Sequence, residues 1–125
     1  MKTKTEEVAN RYYELAQRGQ IDVIKKELYA TDIVSIEPEN NSSLELIVKG
    51  TEAYEKKEAQ FFTMYNDMYG GFCSKPLIST FHFTCAMGFS FTLNGEEKTK
   101  EEIAVFEVKN GKIVKEQFFY NDFEF

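Results

Sequence analysis

Three side chains in this sequence combine a polar group with apolar neighbours in a way that could support acid–base chemistry. Glu37 stands directly before Pro38 at the end of a short apolar run, and Glu116 lies in a segment rich in aromatic residues. Burial among apolar groups raises the pKa of a carboxyl, which can then exchange a proton near neutral pH. Tyr12 has a hydroxyl that could donate to a ligand oxygen. The ordinary alternatives are solvated glutamates at a rim and a tyrosine packed in the core with its hydroxyl bonded locally.

Other kinds of catalytic site find no support in the sequence. His82 is the single histidine, so a histidine-rich metal site is excluded and no metal or cofactor is expected. The spacing of Cys73 and Cys85 fits neither a metal site nor a redox pair. The sequence contains neither a glycine-rich phosphate loop nor a nucleophile elbow.

The length and charge of the chain narrow the class of protein. With 125 residues, we expect one domain over residues 1–125 with a single sizeable core. A formal net charge of −6 argues against binding to nucleic acid or to an anionic membrane surface. Because we find neither a signal-peptide pattern nor a membrane-spanning run, we expect a cytoplasmic protein.

Hydrophobic periodicity predicts helices mainly in the first half of the chain and strands in the second. Val8, Tyr12 and Leu15 recur at helical spacing, and Gly19 ends that helix. The predicted helices cover residues 5–18, 21–29 and 51–70. The predicted strands cover 33–36, 72–80, 81–93, 99–109 and 112–120, and residues 44–48 form either a short edge strand or a loop.

The strongest strand signal lies in residues 81–93, where every odd position is apolar and every even position is small or polar. The pairs Asn94-Gly95 and Asn110-Gly111 are typical of tight hairpin turns between the strands that follow. Helices followed by an antiparallel meander predict an α+β fold with the helices on one face of the sheet.

The order of these elements resembles the nuclear transport factor 2-like superfamily, in its SnoaL-like and ketosteroid isomerase-like branch. The motifs that carry the resemblance are Arg11-Tyr12, Gly19, Tyr29-Ala30-Thr31-Asp32, Glu37-Pro38, Gly50-Thr51, and residues 106–108 and 110–113. The resemblance implies a cone-shaped, curved antiparallel sheet packed against three helices, a cystatin-like α+β barrel.

The resemblance also implies roles for the candidate site residues. Ketosteroid isomerases carry a tyrosine on the first helix, a carboxylate before a proline, and a second acid on a late strand. Tyr12 and Glu37 match the first two, which implies an oxyanion donor and a proton-abstracting base. Ala104 stands where the late acid is expected, so ketosteroid isomerisation itself is disfavoured. Glu116 on the inner face is the candidate for a second acid.

The resemblance implies that one face of the sheet lines a pocket and that the other face is the outer surface. The predicted ligand-binding residues are the inward-facing Met87, Phe89, Phe91, Phe106, Phe118 and Tyr120, with ordinary core packing as the alternative. The outer side, where members of this superfamily commonly dimerise, predicts a homodimer through His82, Thr84, Val105 and Phe119.

Three functions are compatible with this sequence. The first is an isomerase-, cyclase- or dehydratase-like enzyme that uses proton transfer on an apolar, carbonyl-bearing ligand. The second is a non-catalytic binder of a hydrophobic ligand, and the third is a dimeric protein-interaction module. The sequence favours a SnoaL-like protein with a pocket for a small apolar molecule.

Overall fold

A computed structural model describes residues 3–65 and 67–121 and has the predicted α+β architecture. The helices are α1 (Lys4–Gln17), α2 (Ile21–Leu28) and α3 (Thr51–Met64). The strands are β1 (Tyr29–Ile36), β2 (Ile47–Lys49), β3 (Tyr69–Cys73), β4 (Leu77–Ile78), β5 (His82–Leu93), β6 (Glu96–Lys109) and β7 (Lys112–Phe119). Among the described residues, no helix has the length and apolar character needed to cross a membrane.

The strands form one curved sheet in the order β2-β1-β7-β6-β5-β3, with β4 paired to β5. The predicted antiparallel meander is present over β5, β6 and β7. Strand β1 pairs in parallel with β7, which makes the sheet mixed. In the described part of the chain the end strands β2 and β3 do not pair, so the sheet remains open.

Several predicted elements differ in extent from the structure: β1 and β6 begin earlier than predicted, at Tyr29 and Glu96, and two larger differences have a clear cause. Helix α3 ends at Met64 instead of continuing to Gly70, because Tyr69 already pairs with Ser90 of β5. The predicted strand 72–80 is divided into β3 and β4 on either side of Pro76, whose ring cannot donate to a strand ladder.

Both predicted hairpin turns are present. Asn94 and Gly95 have φ angles of 52° and 80°, and Asn110 and Gly111 have 52° and 75°. Two successive residues with positive φ define the type I′ turn, whose twist matches that of the flanking strands. The Asn94-Gly95 turn therefore sets the register between β5 and β6, and the Asn110-Gly111 turn joins β6 to β7.

A β-bulge changes the pattern on β7. The pairing between β6 and β7 shifts between Glu107 and Val108, and Ile113 is fully buried while Val114 is half-buried. Simple alternation along the strand predicts that Val114 shares the inner face with Glu116. The extra residue at the bulge corrects that assignment near the turn. Glu116, beyond the bulge, is buried on the inner side as predicted.

The main core lies between α1, α2 and the inner face of the sheet. It comprises Val8, Ala9, Tyr12, Leu15, Ile24, Leu28, Ile33, Phe83, Cys85, Ala104, Phe106, Val108 and Ile113. A second apolar cluster, of Leu44, Tyr65 and Phe91, lies toward the end of α3. The space between α3 and the sheet is lined by a mixture of polar and aromatic groups, described below.

Gly88 permits the close approach of three strands. It pairs with Glu101 on β6 and with Phe72 on β3. A Cβ atom at this position would lie 2.1 Å from the backbone oxygen of Lys100 and 2.9 Å from the Phe72 ring. Because a backbone oxygen cannot move without its strand, only glycine fits here.

Gly88→Ala is expected to lower the free energy of unfolding by at least about 2 kcal/mol through this overpacking. Urea denaturation followed by circular dichroism measures the change. Gly71→Ala is the matched control, because a Cβ on that β3 residue would make only an ordinary contact at 3.9 Å. Equal effects of the two substitutions would contradict a special role for Gly88.

Candidate functional site

A cavity of about 140 Å³ lies between α3 and the inner face of the sheet. Its lining combines acidic and aromatic side chains with one lysine: Glu37, Leu44, Tyr54, Lys57, Glu58, Phe61, Phe62, Glu102, Glu116 and Phe118. An apolar cavity of about 150 Å³ in another protein binds benzene, so this one has room for a ligand of about one ring. The cavity is the candidate ligand site.

Lys57 on α3 links the helix to the sheet. Its side chain is 8% exposed, and its Nζ donates to Ser35 Oγ at 2.6 Å and to Glu37 Oε2 at 2.9 Å. The Tyr120 hydroxyl donates to Glu37 Oε1 at 2.7 Å. Both oxygens of the buried Glu37 carboxylate therefore have a donor, as a buried charge requires.

Glu116 is buried and is held by hydroxyl groups. Ser35 Oγ donates to its Oε2 at 2.6 Å, and the Tyr29 hydroxyl donates to its Oε1. Ser35 and Glu116 are direct partners in the parallel β1–β7 pair, which explains why they meet. Burial raises the pKa of Glu116, while the bonds from Ser35 and Tyr29 and the charge of Lys57 oppose that rise.

Glu102 on β6 is a mostly buried carboxyl of the cavity wall. Its side chain is 17% exposed, and its Oε2 lies 3.6 Å from Lys100 Nζ. Burial raises the pKa of Glu102 to about 7, and the carboxylates of Glu37 and Glu116 add to the effect while Lys100 opposes it. Near neutral pH, Glu102 is thus present in both protonated and charged forms.

Lys100 packs against the ring of Tyr120. The Lys100 Nζ lies 3.2 Å from the centroid of the Tyr120 ring, within the range of a cation–π contact. Lys100, Glu102 and Ala104 are alternate residues of β6 and so share its inner face. Glu102 is therefore held between a cation on its own strand and the cavity.

The predicted catalytic residues occupy two different places. Glu37 and Glu116 both line the cavity, where Lys57 and Ser35 connect them. Tyr12 is buried deeper, with its ring centroid 4.7 Å from that of Phe106, and is not among the described cavity-lining residues. Its predicted role as a hydroxyl donor to a ligand stays a prediction.

The predicted ligand-binding residues are spread over the cavity and the surrounding core. Phe118 lines the cavity, and Tyr120 reaches it through Glu37. Phe106 is buried and stacked on Phe83, with ring centroids 4.6 Å apart. Met87 packs against the main core. Phe91 belongs to the second apolar cluster, and Phe89 packs against that cluster. Ligand contact by these residues stays a prediction.

Lys57 and Glu102 were not identified as site residues from the sequence, although a signal for each was present. Glu102 lies two positions before Ala104, on the same strand face, so β6 does carry an inward acid. Lys57 follows Tyr54 by three positions and precedes Phe61 by four, which places a charge within the apolar stripe of α3. A charged residue inside an apolar stripe was the available clue.

Nothing in the described part of the chain is arranged as a metal site. No three His, Cys, Asp or Glu side chains in residues 3–65 and 67–121 are grouped so that they could hold a metal ion. The acidic groups of the cavity are instead occupied by lysine ammonium and hydroxyl donors.

The family model of the SnoaL-like domain matches residues 3–120. The chain belongs to the SnoaL-like domain family. This membership confirms the predicted resemblance and covers nearly all of the described chain. No curated protein sequence matches the chain significantly.

Solved structures of similar SnoaL-like and cystatin-like proteins agree with this assignment. A candidate SnoaL-like polyketide cyclase from Mesorhizobium loti is 28% identical, with a TM-score of 0.78 over 91% of this chain and 97% of that one. A Xanthomonas campestris protein of unknown function with a cystatin-like fold is 17% identical, with a TM-score of 0.76 over 94% and 91% of the two chains. TerC, co-crystallised with polyporic acid, is 15% identical, with a TM-score of 0.74 over 94% and 92%. The last two likenesses establish the fold alone.

Lys57→Met is expected to lower the free energy of unfolding by about 3–5 kcal/mol, because it leaves Glu37 buried without its cation. Thermal and urea unfolding measure the loss. Lys56→Met is the matched control, since that neighbouring side chain is 80% exposed. In Lys57→Met combined with Glu37→Gln, part of the loss is expected to return. Equal stability of the Lys57 and Lys56 variants would contradict the role of the buried pair.

Proposed function

We propose that this SnoaL-like protein binds a small, apolar, carbonyl-bearing molecule in the cavity and catalyses proton transfer on it. The proposal rests mainly on Glu102, a mostly buried carboxyl on the cavity wall whose pKa is raised to about 7 by burial. A general base or acid is most effective when its pKa lies near the working pH. Glu102 removes a proton from the carbon next to the carbonyl and later returns one.

Lys57 is the proposed partner of Glu102 in this step. When the C–H bond breaks, the electron pair moves to the carbonyl oxygen, which becomes an enolate oxygen. An ammonium carries three N–H donors, and the Lys57 ammonium gives two of them to Ser35 and Glu37. The third is proposed to donate to the enolate oxygen, where a fixed donor lowers the barrier by about 3 kcal/mol.

Glu37 and Glu116 take supporting roles in this proposal. Both oxygens of each carboxylate already accept hydrogen bonds from protein donors. The two carboxylates are therefore held in place by protein donors, and Glu37 in particular orients Lys57. The family names agree with the reaction class, because polyketides are rich in carbonyl groups and several structural neighbours are named as candidate polyketide cyclases.

Proton transfer is tested with acetophenone in D2O, by following deuteration of its methyl group by NMR. We expect the protein to accelerate the exchange, with a rate that rises as pH increases through about 7, since Glu102 must be charged to accept the proton. Glu102→Gln is expected to slow the exchange by about a hundredfold to ten-thousandfold.

The control is Glu101→Gln, the exposed neighbour of Glu102, which should leave the rate unchanged. If acetophenone binds in the cavity but its deuteration is no faster than in buffer, the catalytic proposal fails. The non-catalytic binder is then the better description of the protein.

We also propose that a second copy of the chain covers the outer face of the sheet. On this face the predicted dimer residues Thr84, Val105 and Phe119 lie near Ile103, and His82 is exposed. Ile103 is 46% exposed and Phe119 is 49% exposed, and they are direct partners on β6 and β7. Such an apolar patch on a sheet is typical of a protein–protein contact.

The expected mass in solution is therefore twice the 14.5 kDa of one chain, measured by light scattering after gel filtration. Phe119→Glu is expected to give the single-chain mass, because it places a charge in the apolar contact. Ile21→Glu, at an exposed apolar residue of α2, is the control that should keep the dimer. A wild-type protein with the mass of one chain would refute this proposal.

A further inference from the structure

The cavity wall carries more negative than positive charge. Four carboxylates line it, those of Glu37, Glu58, Glu102 and Glu116. Three of them have a lysine ammonium beside them: Lys57 for Glu37, Lys25 for Glu58, and Lys100 for Glu102. These three pairs are balanced in charge.

Glu116 is the fourth carboxylate, and its direct donors are neutral. Tyr29 and Ser35 give it hydroxyl hydrogen bonds, which stabilise the charge without cancelling it. With every group ionised, the four carboxylates and three ammonium groups leave one excess negative charge around the cavity. In a site sheltered from water, a charge of this kind acts more strongly than in bulk solvent.

Two of the other carboxylates act on Glu102. The carboxylates of Glu37 and Glu116 both raise the pKa of Glu102, which means that they oppose a further negative charge at the cavity wall. Beside Glu102, these carboxylates therefore disfavour a further negative charge and favour a positive one. Burial is the largest cause of the raised pKa, and a cation placed against Glu102 would offset part of its cost to the charged carboxylate.

The aromatic side chains of the cavity wall can also attract a cation. Tyr54, Phe61, Phe62 and Phe118 line the cavity, and the face of an aromatic ring attracts a positive charge. The Lys57 Nζ already lies 5.7 Å from the centroid of the Phe118 ring. Carboxylates and aromatic rings around one cavity form a recognised environment for an ammonium group.

We propose that the cavity selects amines: a one-ring apolar ligand that bears an ammonium group, in preference to its neutral isostere and to the corresponding acid. The ammonium pairs with Glu102, and the ring contacts the aromatic wall. This inference rests on the proposed function, since it concerns the same cavity. An amine paired with Glu102 occupies the proposed base, so it is expected to compete with the carbonyl substrate.

Three probes of similar size test the selection: benzylamine, benzyl alcohol and benzoate, with dissociation constants measured by NMR titration at about pH 8. A hydrogen bond to a charged partner justifies an expected preference of about tenfold for benzylamine over benzyl alcohol. Benzoate is expected to bind more weakly than benzyl alcohol.

The pH dependence supplies a second readout that needs no substitution. The titratable groups that interact with Glu102 come from several elements, and Lys57 and Glu58 of α3 line the same cavity. The interacting groups are Lys100, Glu37, Glu116, Tyr12, Tyr65 and Tyr120. Benzylamine stays protonated as Glu102 loses its proton near pH 7. Its advantage over benzyl alcohol should therefore grow as pH rises from about 6 to about 8.

Glu102→Gln removes the charge but keeps the shape of the side chain. In this variant benzylamine and benzyl alcohol are expected to bind within about twofold of each other. Circular dichroism verifies that the variant is folded, and Glu101→Gln should keep the full preference. The wild-type pH series decides the question if the Glu102 variant does not fold.

The outcomes separate this inference from the proposed function. If benzyl alcohol binds as tightly as benzylamine at every pH, or benzoate binds best, amine selection is refuted while the cavity remains a ligand site. If none of the probes binds, amine selection and the proposed ligand site both fail. A preference for benzylamine that persists in Glu102→Gln also refutes the assigned pairing.

Discussion

The buried ammonium of Lys57 is the interaction on which the rest of the site depends. It joins α3 to β1 through Glu37 and, by way of Ser35, to Glu116 on β7. Removing such charges from water costs several kcal/mol for each ion, and only complete hydrogen bonding offsets that cost. The network meets this condition, because each oxygen of the two carboxylates accepts a bond. A closely packed apolar contact between α3 and the sheet would have left no polar cavity.

The carboxyl groups of this site lie in different environments. Glu37 is neutralised by a cation and Glu116 is held by hydroxyls, so both are fixed in place. Glu102 has burial as the main influence on its pKa, with Lys100 at 3.6 Å as a partial counterweight. Differences of this kind allow one site to contain structural carboxylates and a proton-transfer group side by side. The proposed reaction and the proposed selection of amines both arise from that asymmetry.

Local sequence patterns were sufficient for much of the fold. The alternation in residues 81–93 identified β5, and two Asn-Gly pairs identified the turns around β6, because both signals depend only on neighbouring residues. The parallel pairing of β1 with β7 and the bulge before Glu116 were not visible, since they depend on contacts between distant segments. The end of α3 was missed for the same reason: pairing between β3 and β5 overrides the helical periodicity after Met64.

The sequence by itself determined the α+β class, the family resemblance, and the inward direction of Glu116 on its strand. Only the tertiary structure decided what surrounds that carboxylate. Ser35 meets Glu116 because β1 and β7 pair in parallel, and Lys57 reaches Glu37 because α3 packs across the sheet. The burial that gives Glu102 a pKa of about 7 likewise comes from elements distant in the chain. Side-chain direction along a strand is a local property, whereas desolvation and ion pairing are set by whatever the complete fold brings together.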